Sequence, residues 1–258
     1  MIIEHTPTEK TAALFQGWQE TLIWSCLQGI MGKIYVKACE NPLSGMAMLG
    51  DFCFLAGEPD KELVRQAPQL AQREFFIIVP QHEGWSGLIE DCFKENTKRV
   101  VRYALKKEPD VFCEVKLQSA VSSLPDGYTL KMIDEELFWQ CRKHDWCRDW
   151  TAQYADYKMF QTYGLGVAVL KDGVPVSGAS SYSGFKGGIE IEIDTREDHR
   201  RKGLAYACGA ELILECLKRG WYPSWDAQNK WSLALAEKLG YHFEREYTAY
   251  EVVGHLNV

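Results

Sequence analysis

"EDHRRKGLAYACGAELILECLKRG", residues 197–220, decides how the rest of the chain is read. Arg200, Arg201 and Lys202 run into Gly203. The apolar residues that follow, Leu204, Ala207, Ala210, Leu214 and Leu217, recur at spacings of three and four, one face of an amphipathic helix. Lys218 and Arg219 suit the C-terminal end of that helix, and Gly220 suits its left-handed cap. The three basic residues do nothing for local stability, because the N-terminal end of a helix already carries partial positive charge. An anion held at that end removes the conflict. The first N–H groups of a helix lack intrahelical acceptors and point the same way, and a pyrophosphate fits that concavity. Gly203 lets such a ligand approach the backbone with no Cβ between, and Ala205 is small for the same reason.

Upstream, "GVAVLKDGVPVSGASSYSGFKGGIEIEIDT", residues 166–195, predicts three successive strands. "KDG" reads as a three-residue turn with Gly173 at the left-handed position, and "SGFKGG" as the next turn. Ile189, Ile191 and Ile193 alternate with Glu190, Glu192 and Asp194, so the last strand has one apolar and one acidic face. "YTLKMI" (128–133) predicts a strand, and "DEELFWQCRKHDWCRDW" (134–150) a helix. Downstream, "YPSWDA" (222–227) predicts a short strand, "NKWSLALAEKLGY" a helix capped by Gly240, and "HFEREYTAYEVV" a closing strand.

The chain has 258 residues, 46% of them apolar and 25% charged, an ordinary composition for a soluble protein with a substantial core. A net charge of -7 argues against nonspecific binding to nucleic acid or to an anionic membrane, and neither partner is expected. Nine cysteines with no CxxC pair fit reduced thiols better than a disulfide framework. With no apolar run of membrane-spanning length and no signal-peptide pattern, a cytoplasmic location is expected. Cys141, His144 and Cys147 stand at i, i+3 and i+6; helical spacing turns the third away from the first, and no metal is expected.

"SSLPDGY" (122–128) clusters turn formers and predicts a boundary, giving residues 1–125 and 126–258. In the first part "FCFLAG" (52–57) and "EFFIIVP" (74–80) read as strands and "WSGLIEDCFKEN" (85–96) as a helix. Lys98, Arg99, Arg102, Lys106 and Lys107 read as a solvated basic face. Both parts are α/β.

"RRKGLA", with the order of elements around it, resembles the R/Q-x-x-G-x-G/A signature of the GCN5-related N-acetyltransferases. The resemblance runs from about residue 126 to 251. "IEIEIDT", "PSWDAQN" and "SLALAEKLGY" are similar to the branch that includes the zwittermicin A resistance acetyltransferases. It implies a GNAT fold for 126–258, a mostly antiparallel mixed sheet flanked by helices. The 1–125 module would then be an addition or a degenerate second copy, since it has no R-x-x-G-x-G/A loop.

The resemblance further implies acetyl-CoA as cosubstrate, with Arg200 at the first signature position and the pyrophosphate on the backbone of Arg201, Lys202, Gly203, Leu204 and Ala205. The pantetheine arm would lie between "EIDT" and "SWDA", pairing with backbone near Ile193 and Thr195. Asn229 and Ser232 would contact the cofactor from the next helix, although Asn229 is also a good N-cap. Glu190 or Glu192 would take the proton that an ammonium must lose before it attacks, or would bind a cationic acceptor. The family's tyrosine acid is replaced here by Ala236, and Tyr241 is expected to pack. Trp146, Asp149 and Trp150 would line the acceptor side. The implied function is direct acetyl transfer to a primary amine, of a small molecule or antibiotic for example. Transfer from another acyl donor, or noncatalytic sensing of acetyl-CoA, are the other classes.

Overall fold

The computed structural model describes residues 1–253, and along them the apolar runs fall into two separately packed units. One is Met1–Arg102 with the stretch that begins at Glu246; the other is Tyr103–Arg245. The boundary read at 125/126 therefore lies inside the second unit. The reason is packing: Leu117 and Ala120, from the segment before that turn, are buried in the same core as Ile189, Leu212 and Ile213.

The first unit runs β1 (Ile3–His5), α1 (Glu9–Leu14), α2 (Thr21–Leu27), β2 (Lys33–Val36), β3 (Ser44–Leu49), β4 (Phe52–Gly57), α3 (Lys61–Ala71), β5 (Phe75–Pro80) and α4 (Ser86–Phe93). β6 (Thr97–Leu105) then leads into the second unit. β1 to β4 pair antiparallel in sequence order, and β5 returns parallel to β4. Met46, Leu55, Leu63, Phe76, Ile78 and Trp85 fill the core between this sheet and its helices. The basic group is only partly a solvated face. Lys98 pairs with Glu251 and Arg99 with Glu83, but Arg102 is buried with its guanidinium 4.9 Å from the centre of the Phe52 ring.

The second unit continues with α5 (Glu114–Ser122), β7 (Thr129–Met132), α6 (Glu135–Cys141), α7 (Tyr157–Tyr163), β8 (Gly166–Lys171), β9 (Val174–Phe185) and β10 (Gly188–Thr195). After these come α8 (Leu204–Lys218), β11 (Tyr222–Ser224), β12 (Asp226–Ala227), α9 (Lys230–Leu239) and β13 (Phe243–Val253), whose residues from Glu246 on belong to the first unit. Its sheet has the order β11-β10-β9-β8-β7, antiparallel except for the parallel β10–β11 pair. Alternation along β10 sends Ile189, Ile191 and Ile193 onto α8 and leaves the acidic residues on the other face. α8 buries more than the predicted stripe: Cys208, Leu212, Ile213 and Cys216 are also inside.

Three predicted elements change in detail. The β8–β9 turn is the two residues Asp172 and Gly173, both left-handed (φ 51° and 78°), because Lys171 pairs with Val174. The helix predicted over 134–150 stops at Cys141, and a 3-10 turn forms at Arg148–Trp150. The Arg142 side chain holds the chain back on itself by donating to the carbonyls of Thr151 and Tyr154 while lying over Phe138. The strand predicted over 222–227 breaks at Trp225, and that break shapes the site.

Candidate functional site

β11 stays beside β10 only over Gly188–Tyr222, Ile189–Pro223 and Glu190–Ser224. The chain then leaves: Asp226 and Ala227 pair instead with Ala104 and Tyr103 of β6. Trp225, buried at the fork, packs edge-on against Tyr241. β10 meanwhile runs on to Thr195, paired with β9 along one edge, while the other edge of Ile191–Thr195 has no strand partner among the described residues. Backbone donors and acceptors on an open edge accept a further extended partner.

The open edge leads straight to the loop of residues 196–203. Tyr128 donates or accepts at His199 Nδ1 (2.9 Å), and Arg196 grips Asp198 through Nε (2.7 Å) and Nη2 (2.9 Å). Two residues turn left-handed, Arg201 (φ 62°) and Gly203 (φ 79°). The left-handed form costs a residue with a side chain about 1 kcal/mol, so Arg201 marks a shape the fold imposes. α8 then begins with no side chain capping its first N–H groups. A Cβ on Gly203 would meet nothing within 4 Å, so the space in front of the helix end is open. Arg200 Nε is tied to Thr195 O at 3.2 Å and Lys202 Nζ to Asp198 O at 3.1 Å. Arg201 is exposed and has no hydrogen-bond or ion-pair partner among the described residues. A bare helix end, a left-handed loop and unspent positive charge make an anion cradle.

The acidic face of β10 is not uniform. Glu190 lies below the fork, where the strands are still joined; it is 6% exposed and accepts a hydrogen bond from Ser224 Oγ at 2.6 Å. Glu192 and Asp194 lie beyond the fork, half-buried and hydrogen-bonded to each other. Burial pushes the Asp194 carboxyl up to about 6; the charge of Asp149 adds to the shift, while Arg200 opposes it. Asp149 comes from the 3-10 turn, whose Trp150 is fully buried, with its carbonyl accepting from Ser180 Oγ at 2.7 Å. The Trp150 ring packs on Gly178, the cross-strand partner of Asp194, where a Cβ would stand 2.5 Å from the ring. Trp146 packs edge-on against Trp150, with centroids 5.1 Å apart. Two titratable residues brought to one place by this turn, Asp149 and Asp194, were not singled out from the sequence as proton-handling groups. The alternation that marked Glu190 and Glu192 carries Asp194 as its third member.

The remaining candidates sort as follows. Ile193 and Thr195 stand on the open edge, with Thr195 Oγ1 2.7 Å from Ser177 Oγ. Asn229 caps α9, its Oδ1 accepting from Trp231 N at 2.9 Å and Ser232 N at 3.0 Å. Ser232 is half-buried in the first turn of that helix. Ala236 is fully buried, facing the core. Tyr241 is core: it is 2% exposed, meets Phe112 and Trp225 edge-on, and donates to Pro223 O at 2.5 Å. Cys147 Sγ points at Cys141 O, and among the described residues no group of three or more His, Cys, Asp or Glu is placed to hold a metal ion. Nor is any helix among them long and apolar enough to cross a membrane.

Known proteins share this chain's sequence pattern and its fold. The sequence profile described as GNAT acetyltransferase matches residues 12–250. An uncharacterised N-acetyltransferase of Bacillus subtilis, YdfB, is 30% identical over 188 residues, which cover 70% of this chain and 68% of that protein. The crystal structure of a GCN5-related N-acetyltransferase-like protein from Streptococcus suis superposes with a TM-score of 0.89 at 46% identity, covering 93% of this chain and 96% of that one. A GCN5-related N-acetyltransferase from Kribbella flavida shares the fold at 19% identity, with a TM-score of 0.54 and coverage of 90% and 95%.

Proposed function

The chain belongs to the GNAT acetyltransferase family, and on that premise we propose that it transfers an acetyl group from acetyl-CoA directly to a primary amine of a small, cationic acceptor. The observation that carries the reading is the continuity of the open β10 edge with the uncapped start of α8. A donor with an extended, amide-bearing arm and a pyrophosphate at its end matches both halves at once. The arm would pair with Ile193 and Thr195, and the pyrophosphate would sit on the N–H groups from Arg201 to Ala205 with Arg200 and Lys202 beside it. Asn229 is engaged as a cap, so α9 would contribute chiefly through Ser232.

The acceptor would approach from the opposite face of β10. There Glu192, Asp194 and Asp149 present carboxyl groups to an ammonium. A hydrogen-bonded carboxyl pair holds one proton between two sites, so Glu192 and Asp194 act together. The pair draws in the ammonium, accepts a proton from it, and leaves a neutral amine whose lone pair attacks the thioester carbonyl carbon. The C–N bond forms, the C–S bond breaks, and sulfur departs as thiolate. A thiolate is a tolerable leaving group without an acid, which suits a chain with buried Ala236 where relatives of the family carry tyrosine. Backbone N–H groups on the open edge would stabilise the negative charge that grows on the carbonyl oxygen. Glu190, buried and bound to Ser224, would anchor the fork rather than meet the acceptor.

The test is calorimetric titration with acetyl-CoA, followed by thiol release across an amine library and a series of acyl donors. Gly203→Val puts a branched side chain into the open space and forces it left-handed; acetyl-CoA affinity is expected to fall at least tenfold, about 1.4 kcal/mol. Unchanged affinity in a variant with wild-type circular dichroism rejects the donor site. Binding without amine-dependent thiol release makes the protein a sensor, and preference for a longer acyl chain reassigns the donor.

A further inference from the structure

The two units repeat one plan. β1-α1-α2-β2-β3-β4-α3-β5-α4 in the first has the same order as β7-α6-α7-β8-β9-β10-α8-β11-α9 in the second, where the short β12 additionally follows β11. The pairings repeat as well. An edge strand precedes a three-stranded antiparallel meander, and the strand after the next helix returns parallel to the last meander strand. β4, α3 and β5 therefore correspond to β10, α8 and β11. In the second unit this trio leaves two sets of backbone groups open, the far edge of β10 and the start of α8. We propose that the first unit is a copy of the same fold whose own groups seal the matching positions, so that the chain holds one acyl-CoA rather than two.

Each opening has its plug. The parallel pairing of β5 with β4 runs from Phe52–Ile77 to Leu55–Pro80 and stops two residues short of the end of β4. Gln81 extends it, its N–H donating to Leu55 O at 2.9 Å. The side chain of Gln81 then accepts from the N–H of Gly57, the last residue of β4, at 2.9 Å. The amide is held in that pose by donating to Leu14 O at 2.8 Å. This side chain occupies the place along the strand edge where a substrate amide would have to pair.

At the helix start, Asp60 Oδ1 accepts from Glu62 N (2.8 Å) and Leu63 N (3.1 Å), while Oδ2 takes Lys37 Nζ at 2.8 Å. Burial works against this carboxylate, but the hydrogen bonds from Lys37 and the helix N–H groups hold it below its ordinary range. The anion site of α3 is thus filled by a residue of the chain itself. The loop also reverses sign: Glu58 and Asp60 stand where the second unit has Arg200, Arg201 and Lys202. It is shorter too, spanning 58–60 against 196–203.

This inference rests on the second unit being the acyl-CoA site, and one experiment separates the two. Acetyl-CoA is titrated calorimetrically into the full chain and into Gly203→Val, and amide exchange is followed with and without the ligand. The expected result is one equivalent for the wild type, that same single site weakened at least tenfold in Gly203→Val, and slowed exchange confined to residues 191–206. A second equivalent, a site of unchanged affinity in folded Gly203→Val together with slowed exchange over 52–63, or slowed exchange over 52–63 in the wild type overturns the sealed copy. No binding to the wild type at all rejects the donor site of the second unit and agrees with a sealed first unit. The plugs are checked directly: Gln81→Ala is expected to speed exchange at Gly57, and Asp60→Ala at Glu62 and Leu63, each at least tenfold. Unchanged exchange at those amides means that the side chains do not hold them, and overturns the mechanism of sealing.

Discussion

Glu192 and Asp194 show how much a single residue's neighbourhood decides. Both belong to the acidic face of β10 beyond the fork, and each is defined by the other's hydrogen bond. Asp194 is raised from its ordinary 3.8 to about 6, so ionising it costs more in the folded chain than in the unfolded one. Its contribution to stability is complete below pH 4 and is lost as pH rises through 6. Asp194→Asn is therefore expected to be more stable than wild type at pH 8, on the order of 1–2 kcal/mol, with the gain vanishing towards pH 4. Denaturant melts across that range check the sign; a gain independent of pH removes the titration argument. Glu192→Gln keeps size and polarity but removes basicity. Turnover is expected to fall about 10²–10⁴-fold with acetyl-CoA affinity unchanged, and higher pH should partly restore it as more of the amine becomes neutral. A loss seen mainly in KM assigns Glu192 to acceptor binding instead.

At the scale of elements, the site exists because two strands part company. β11 and β12 are one continuous run of sequence divided between β10 and β6, with Trp225 at the division. β9 carries an extra residue, Tyr182, between Ser181, opposite Ile191, and Ser183, opposite Glu190. A bulge of this kind increases local twist and re-aims the strand. It falls at the level of the fork. On the acceptor side the 3-10 turn is pressed onto β9 with no Cβ between Trp150 and Gly178. Gly178→Ala would push a rigid indole, not a flexible tip, and is expected to cost about 1–3 kcal/mol while displacing Asp149 from Asp194. Thermal denaturation and the acceptor KM measure the two effects; a variant with wild-type stability and KM means that the turn does not shape the acceptor side.

At the scale of the whole molecule, both units follow a single plan with opposite use of their backbone groups. One satisfies its groups internally and the other leaves them open. The cysteines are distributed through both cores. Cys26, Cys53, Cys141, Cys147, Cys208 and Cys216 are buried, Cys92 is half-buried, and only Cys39 and Cys113 are exposed. Burial pushes the Cys26, Cys208 and Cys216 thiols up to about 12, far from the reactive thiolate. Titration with a chromogenic disulfide is expected to label two thiols quickly in the native protein, a third slowly, and all nine after denaturation. More than three fast thiols in the native state contradict the packing of both cores.

The sequence by itself determined what neighbours along the chain can report. Runs between turn signals marked β8 and β9, period-two alternation marked β10, the three-and-four spacing marked α8, and RRKG marked the loop before that helix, because each signal is written in consecutive residues. The isoleucine face of β10 followed from the same local pattern, and the packing of Tyr241 from the family resemblance. Only the tertiary structure decided which strand lies beside which. "YPSWDA" contains nothing that splits it; the split comes from β6, more than a hundred residues upstream. Glu190 and Glu192 look equivalent in the alternation and differ because one sits below the fork and the other above it. Arg142 ended the helix early by reaching carbonyls later in the chain. The plugs of the first unit were equally hidden, since Gln81 and Asp60 acquire their roles by meeting Gly57, Leu14 and Lys37. Periodicity records which face of an element is apolar, whereas burial, open edges and shared protons depend on partners that the chain brings together only by folding.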